Sequence, residues 1–150
     1  MYNFNCMKKL RVWIAAAVLC AGTAGFFLCR LYAPQSLTDE TLWEVLIVEY
    51  YDRETQTVVP VTEYSGEELF SLLGQFEERR TPWTANGFAG YEHENILLSV
   101  TLAGSRVKVI YLGEDKGWTV RERGSHKYRI LHADLLLENL LAALEIPGQV

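Results

Sequence analysis

Residues 12–29 form one uncharged apolar run, entered through Lys8, Lys9 and Arg11 and left through Arg30. Its 18 residues, wound as a helix rising about 1.5 Å each, span roughly 27 Å, close to the hydrocarbon thickness of a bilayer. Leu31 and Tyr32 extend it, giving an anchor over residues 12–32. Trp13 near the start and Tyr32 past the end suit the two headgroup regions, where amphipathic rings are favoured. Three basic residues precede the run and one follows. The positive-inside rule therefore keeps a tail of residues 1–11 in the cytoplasm and sends the remainder outside the cell. A cleaved signal peptide, and hence a secreted domain, is the alternative. Such peptides carry an apolar core of about 7–15 residues before a small-residue cleavage site. Here Gly22-Thr23-Ala24 is followed by more apolar chain and Ala33 by Pro34, so an uncleaved anchor fits better.

Ala17, Ala21 and Gly25 recur every four residues and put small side chains on one face of that helix, where a second copy or another membrane protein can approach closely. All three cysteines, Cys6, Cys20 and Cys29, lie in the tail and anchor. The rest of the chain must hold together without disulfides.

Beyond a short polar linker at residues 33–40, the pattern changes to that of one folded domain over residues 41–150. Residues 42–52 and 57–62 are rich in β-branched and aromatic residues and predict a hairpin turning through residues 52–56. Pro60 cannot donate to a ladder, which makes the second strand an edge strand or a short one. Ser65 with Glu68 is a capping-box pattern, and Leu69, Phe70, Leu72, Leu73 and Phe76 follow at helical spacing. Four further strands are predicted at 96–102, 106–112, 118–123 and 127–131, separated by glycine-bearing turns. A last helix runs from 133 to about 145 and stops before Pro147. The order β-β-α-β-β-β-β-α predicts an α+β fold: one antiparallel sheet with its helices on one face.

That element order resembles the TATA-binding-protein-like architecture, a likeness of order alone. With the anchor, the hairpin, the Glu67-Glu68-Leu69 helix, the Thr81-Pro82 step and the Lys127-Tyr128-Arg129-Ile130 strand, the chain also resembles small membrane-anchored extracytoplasmic domains of unknown function from Gram-positive bacteria. This resemblance implies a fold and a location, and brings no activity with it.

Charge adds a candidate site. Four of the 14 basic residues flank the apolar run, leaving ten in the outer domain against all 19 acidic ones, a net of −9. Strand alternation assigns Ile96, Leu98, Val100, Leu102, Val107, Val109, Tyr111, Trp118, Val120, Tyr128 and Ile130 to a core face. The opposite, open face then receives Arg106, Lys108, Arg121, Arg123, Lys127 and Arg129, while acids gather at Glu67, Glu68, Glu77 and Glu78. Six cations on one face suit an anionic partner: acidic lipid, an anionic envelope polymer or an acidic protein patch. A solvated face kept charged against edge pairing explains the same pattern. Nucleic acid does not suit an acidic domain placed outside the cell.

The segment 81–91 combines Trp83, Phe88 and Tyr91 with two glycines, a composition that can frame a small pocket and that equally serves to pack rings over the end of the sheet. Glu92-His93-Glu94 places ligand types together, but alternation turns His93 away from both glutamates, and His126 and His132 have no ligand spacing, so no metal is implied. There is no nucleophile elbow and no glycine-rich phosphate loop, and no cofactor is implied. The sequence thus reads as a single-pass membrane protein whose outer domain binds or supports a partner, with a small envelope-associated hydrolase as the alternative.

Overall fold

A computed structural model describes residues 4–38, 43–84, 96–104, 106–114, 116–121 and 126–146. The chain divides into two compact units, Met1–Ala33 and Pro34–Val150. The first is a single helix, α1 (Phe4–Leu31), whose stretch Val12–Leu31 is long and apolar enough to cross a membrane. The Thr23 hydroxyl donates to the carbonyls of Leu19 and Cys20 (both 3.0 Å), so the one hydroxyl of the stretch is satisfied within the helix.

The second unit is α+β. Its strands are β1 (Gln35–Ser36), β2 (Trp43–Asp52), β3 (Thr57–Val61), β4 (Glu77–Thr84), β5 (Leu98–Gly104), β6 (Val107–Leu112), β7 (Gly117–Arg121) and β8 (His126–Ile130). Helix α2 (Gly66–Leu73) lies between β3 and β4, and α3 (Ala133–Ala143) follows β8. All eight strands join one antiparallel sheet in the order β1-β4-β8-β7-β6-β5-β2-β3.

Local chemistry accounts for the elements. At the β2–β3 turn the Asp52 carboxylate accepts from the Glu54 N–H (2.9 Å) and the Thr55 hydroxyl (2.8 Å), and Gln56 takes a left-handed φ of 56°. Pro60 sits in β3 at the sheet's edge, where a missing donor costs least. The Ser65 hydroxyl accepts from the Glu68 N–H at 3.4 Å and opens α2. Helices α2 and α3 pack together over one sheet face. Leu69, Leu73, Leu136, Leu137, Leu140 and Leu141 meet Val48, Leu98, Val100, Leu102, Ile110, Leu112 and Ile130 there. Each leucine so buried contributes about 1.5–3 kcal/mol.

Two strands go beyond the sequence expectation. The segment read as a linker contains β1, and its Leu37 is fully buried, with its N–H donating to the Phe76 carbonyl at 3.0 Å. The segment after α2 is β4, so residues 81–84 of the expected loop are strand and Glu78 is a wholly buried residue, not a surface acid.

The face assignment also changes. The β5–β6 register pairs Ala103 with Val107 and Leu102 with Lys108, which puts Lys108, Ile110 and Leu112 on the helix-covered face with Leu98, Val100 and Leu102. Val109, Tyr111, Trp118 and Val120 therefore lie on the opposite face, where with Ile96 and Val107 they form a second, smaller apolar cluster. A second exchange occurs at β7–β8, where Trp118 is opposite Arg129 and Thr119 opposite Tyr128. Strand β6 is apolar on both sides, so its alternation carries no sign of which side meets the helices, and a single residue of turn length decides it.

Candidate functional site

The expected six-cation face is thereby split. Lys108 and Arg121 face the helix-covered side, and Lys127 and Arg129 face the other. Arg106 is exposed at the β5–β6 turn, and Arg123 lies outside the described residues. The side chain of Trp83 and all of Phe88 and Tyr91 also lie outside them, as does the Glu92-His93-Glu94 segment. His132 is exposed and starts α3 with a left-handed φ of 56°. Among the described residues no group of three or more His, Cys, Asp or Glu side chains is placed to hold a metal ion.

On the covered side a charged cluster takes the place of core. The Glu78 carboxylate, 0 % exposed, accepts from Lys108 Nζ at 2.9 Å and Arg121 Nη2 at 2.7 Å on one oxygen, and from the Thr119 hydroxyl on the other. Gln35 reaches the first oxygen at 3.4 Å. Lys108, 2 % exposed, also donates to the Leu37 carbonyl at 2.6 Å. Burying one carboxylate and one ammonium is tolerable only because each has its partner and added hydrogen bonds. The cluster ties β1, β4, β6 and β7 together across sequence separations of 30 to 71 residues. The Arg121 guanidinium stacks over the Tyr128 ring at 4.5 Å.

On the outer side of the same strands is a second constellation. Arg79 and Arg129 are direct cross-strand neighbours, Arg129 is opposite Trp118, and Trp118 is opposite Tyr111, whose ring lies 5.8 Å away. Lys127 Nζ stands 5.8 Å over the Trp118 ring. Arg79, Lys127 and Arg129 are all exposed, and among the described residues none has a carboxylate within ion-pair distance. By contrast, exposed Arg53 is paired with Glu114 at 2.6 Å. Sequence reasoning found Lys127 and Arg129 but missed Arg79, because β4 has no apolar alternation to announce a strand. Farther along this face an open cleft of about 250 Å³ is lined by Glu49, Tyr51, Val58, Ile96 and Ser99, with the Ser99 hydroxyl donating to Glu49 at 3.4 Å.

Comparison with protein-family models, curated proteins and solved structures finds no match to this chain. The geometry therefore stands alone. It defines an α+β unit joined to a helix of membrane-spanning length, with cations concentrated on both sides of the β4–β8–β7 strands.

Proposed function

We propose that this is a single-pass membrane protein, with its short N-terminal tail in the cytoplasm, whose α+β unit lies outside the cell and docks an anionic partner. Its kinship is with the small anchored domains of Gram-positive bacteria that its element order resembles. The observation that carries the docking role is the placement of Arg79 directly opposite Arg129, with Lys127 beside them over Trp118. Like charges directly opposite one another on a sheet cost stability, and no described carboxylate offsets them. A partner that brings negative charge does. Trp118 and the buried Tyr111 beside it supply a flat apolar floor, and a cation–aromatic floor is the composition of a binding surface. Three exposed cations around that floor give an attraction that weakens with salt over a screening length of about 8–10 Å.

The test is in-cell crosslinking of the full-length protein in its own membrane, beside the triple variant Arg79→Glu/Lys127→Glu/Arg129→Glu. A single envelope component captured by the wild type and lost with the variant supports docking through this patch. Equal capture by both proteins, or capture insensitive to salt, refutes it.

A further inference from the structure

The open cleft on the outer side of the sheet holds a carboxylate set apart from any cation. Glu49 lies within β2, with Pro60 opposite it on β3 and Ser99 opposite it on β5. Two residues along its own strand in either direction are Ile47 and Tyr51, so no Lys or Arg occupies a flanking position on this side. Glu49 is half-buried, and among the described residues it has no ion pair. Its carboxylate accepts one long hydrogen bond there, from the Ser99 hydroxyl at 3.4 Å, and Ser99 is itself 5 % exposed. Both line the cleft of about 250 Å³, whose walls also include Val58 from β3, Ile96 just ahead of β5, and Tyr51. That volume falls below the roughly 300–1,000 Å³ of sites for drug-sized ligands, so it suits a smaller molecule.

From this we infer that the cleft is a binding site for a small aliphatic amine, held as its ammonium ion. A primary ammonium is a compact charge with three donors. Glu49 supplies the charged acceptor, and a serine hydroxyl that donates to a carboxylate still has lone pairs with which to accept. The Tyr51 ring beside them is a surface to which cations are attracted. Val58 and Ile96 take the alkyl chain out of water. A divalent metal ion fits less well, because it demands more oxygen ligands than one carboxylate and one hydroxyl provide. None of Arg79, Lys127, Arg129 and Trp118 lines the cleft, so the site stands or falls independently of the docking patch.

The experiment is an NMR titration of the full-length, nitrogen-labelled protein in a neutral detergent at neutral pH and low salt, following the amide signals of Tyr51 and Ser99. Butylamine, butyltrimethylammonium and 1-butanol are the separate probes. Saturable shifts with butylamine are expected. The alcohol lacks the charge and the quaternary ion lacks the N–H donors, so each should bind about tenfold or more weaker. Glu49→Gln should weaken butylamine binding by about tenfold or more, the loss of one charge-assisted bond. Val58→Lys provides a second route, because residue 58 is exposed and diagonal to Glu49 across the β2–β3 pair, where a lysine ammonium can reach the carboxylate and block the cleft. No saturable binding of butylamine by the wild type overturns the inference, as does equal binding of the alcohol or of the quaternary ion. Butylamine affinity unchanged by Glu49→Gln overturns it as well, and should that variant fail to fold, affinity unchanged by Val58→Lys does so.

Discussion

The Glu78 carboxylate accepts from two cationic side chains and a hydroxyl in a place where apolar packing would otherwise continue. Removing one member of such a cluster leaves another buried and uncompensated. Glu78→Leu takes the buried carboxylate away from Lys108, and should lower the unfolding free energy of the full-length protein in detergent by about 3–5 kcal/mol. The double variant Glu78→Leu/Lys108→Met should recover much of that loss, because neither charge then remains to be desolvated. Denaturant melts of the three proteins decide it: a double variant as unstable as the single would mean that the cluster contributes net stability. At the β2–β3 turn, the Thr55 hydroxyl and then the Glu54 N–H hold the Asp52 carboxyl below its ordinary value. Its contribution to the turn is complete above the unfolded carboxylate pKa of about 4 and is lost only as pH falls through the lower folded value. Amide exchange at Glu54 and Thr55, followed downward from pH 5, should stay protected below pH 4; deprotection already complete at pH 4 contradicts this.

At the scale of elements, α3 approaches the sheet tightly over Gly117. A Cβ there would lie 2.8 Å from Ala133 Cβ and from Leu112 Cδ2, and 3.0 Å from Ile130 Cδ1. Gly117→Ala should therefore force α3 outward or the strands apart, at about 1–3 kcal/mol, read as a lowered thermal midpoint. An unchanged midpoint would show that the α3–sheet contact yields freely. Strands β1 and β4 are the elements that sequence reasoning missed. In β4 the buried Glu78 is paired with Lys108 and Arg121 on other strands, which no local pattern reports. The helices and the β2–β3 hairpin were legible because their signals are local: the Ser65 cap, the leucines of α3 and the turn carboxylate of Asp52 each act within a few residues.

For the whole molecule, the division at Ala33 separates two kinds of stabilisation. Every cysteine lies in the first unit, Cys20 and Cys29 as exposed free thiols on the helix, while the second relies on buried leucines and the Glu78 cluster. Strong reductant should consequently leave the unfolding midpoint of the α+β unit within the full chain unchanged, followed by the fluorescence of Trp118; a shift would show that the cysteines support its fold. The sequence by itself determined the apolar span, the type of nearly every element and the α+β class, since each depends on periodicity or polarity over a handful of neighbouring residues. Only the tertiary structure decided which face each strand turns to the helices, that Lys108 and Arg121 are partners of a buried Glu78, and that Arg79 joins Lys127 and Arg129. Strand parity flips with one residue of turn length, and β6 is apolar on both sides, so the choice was made by contacts between residues far apart in the chain.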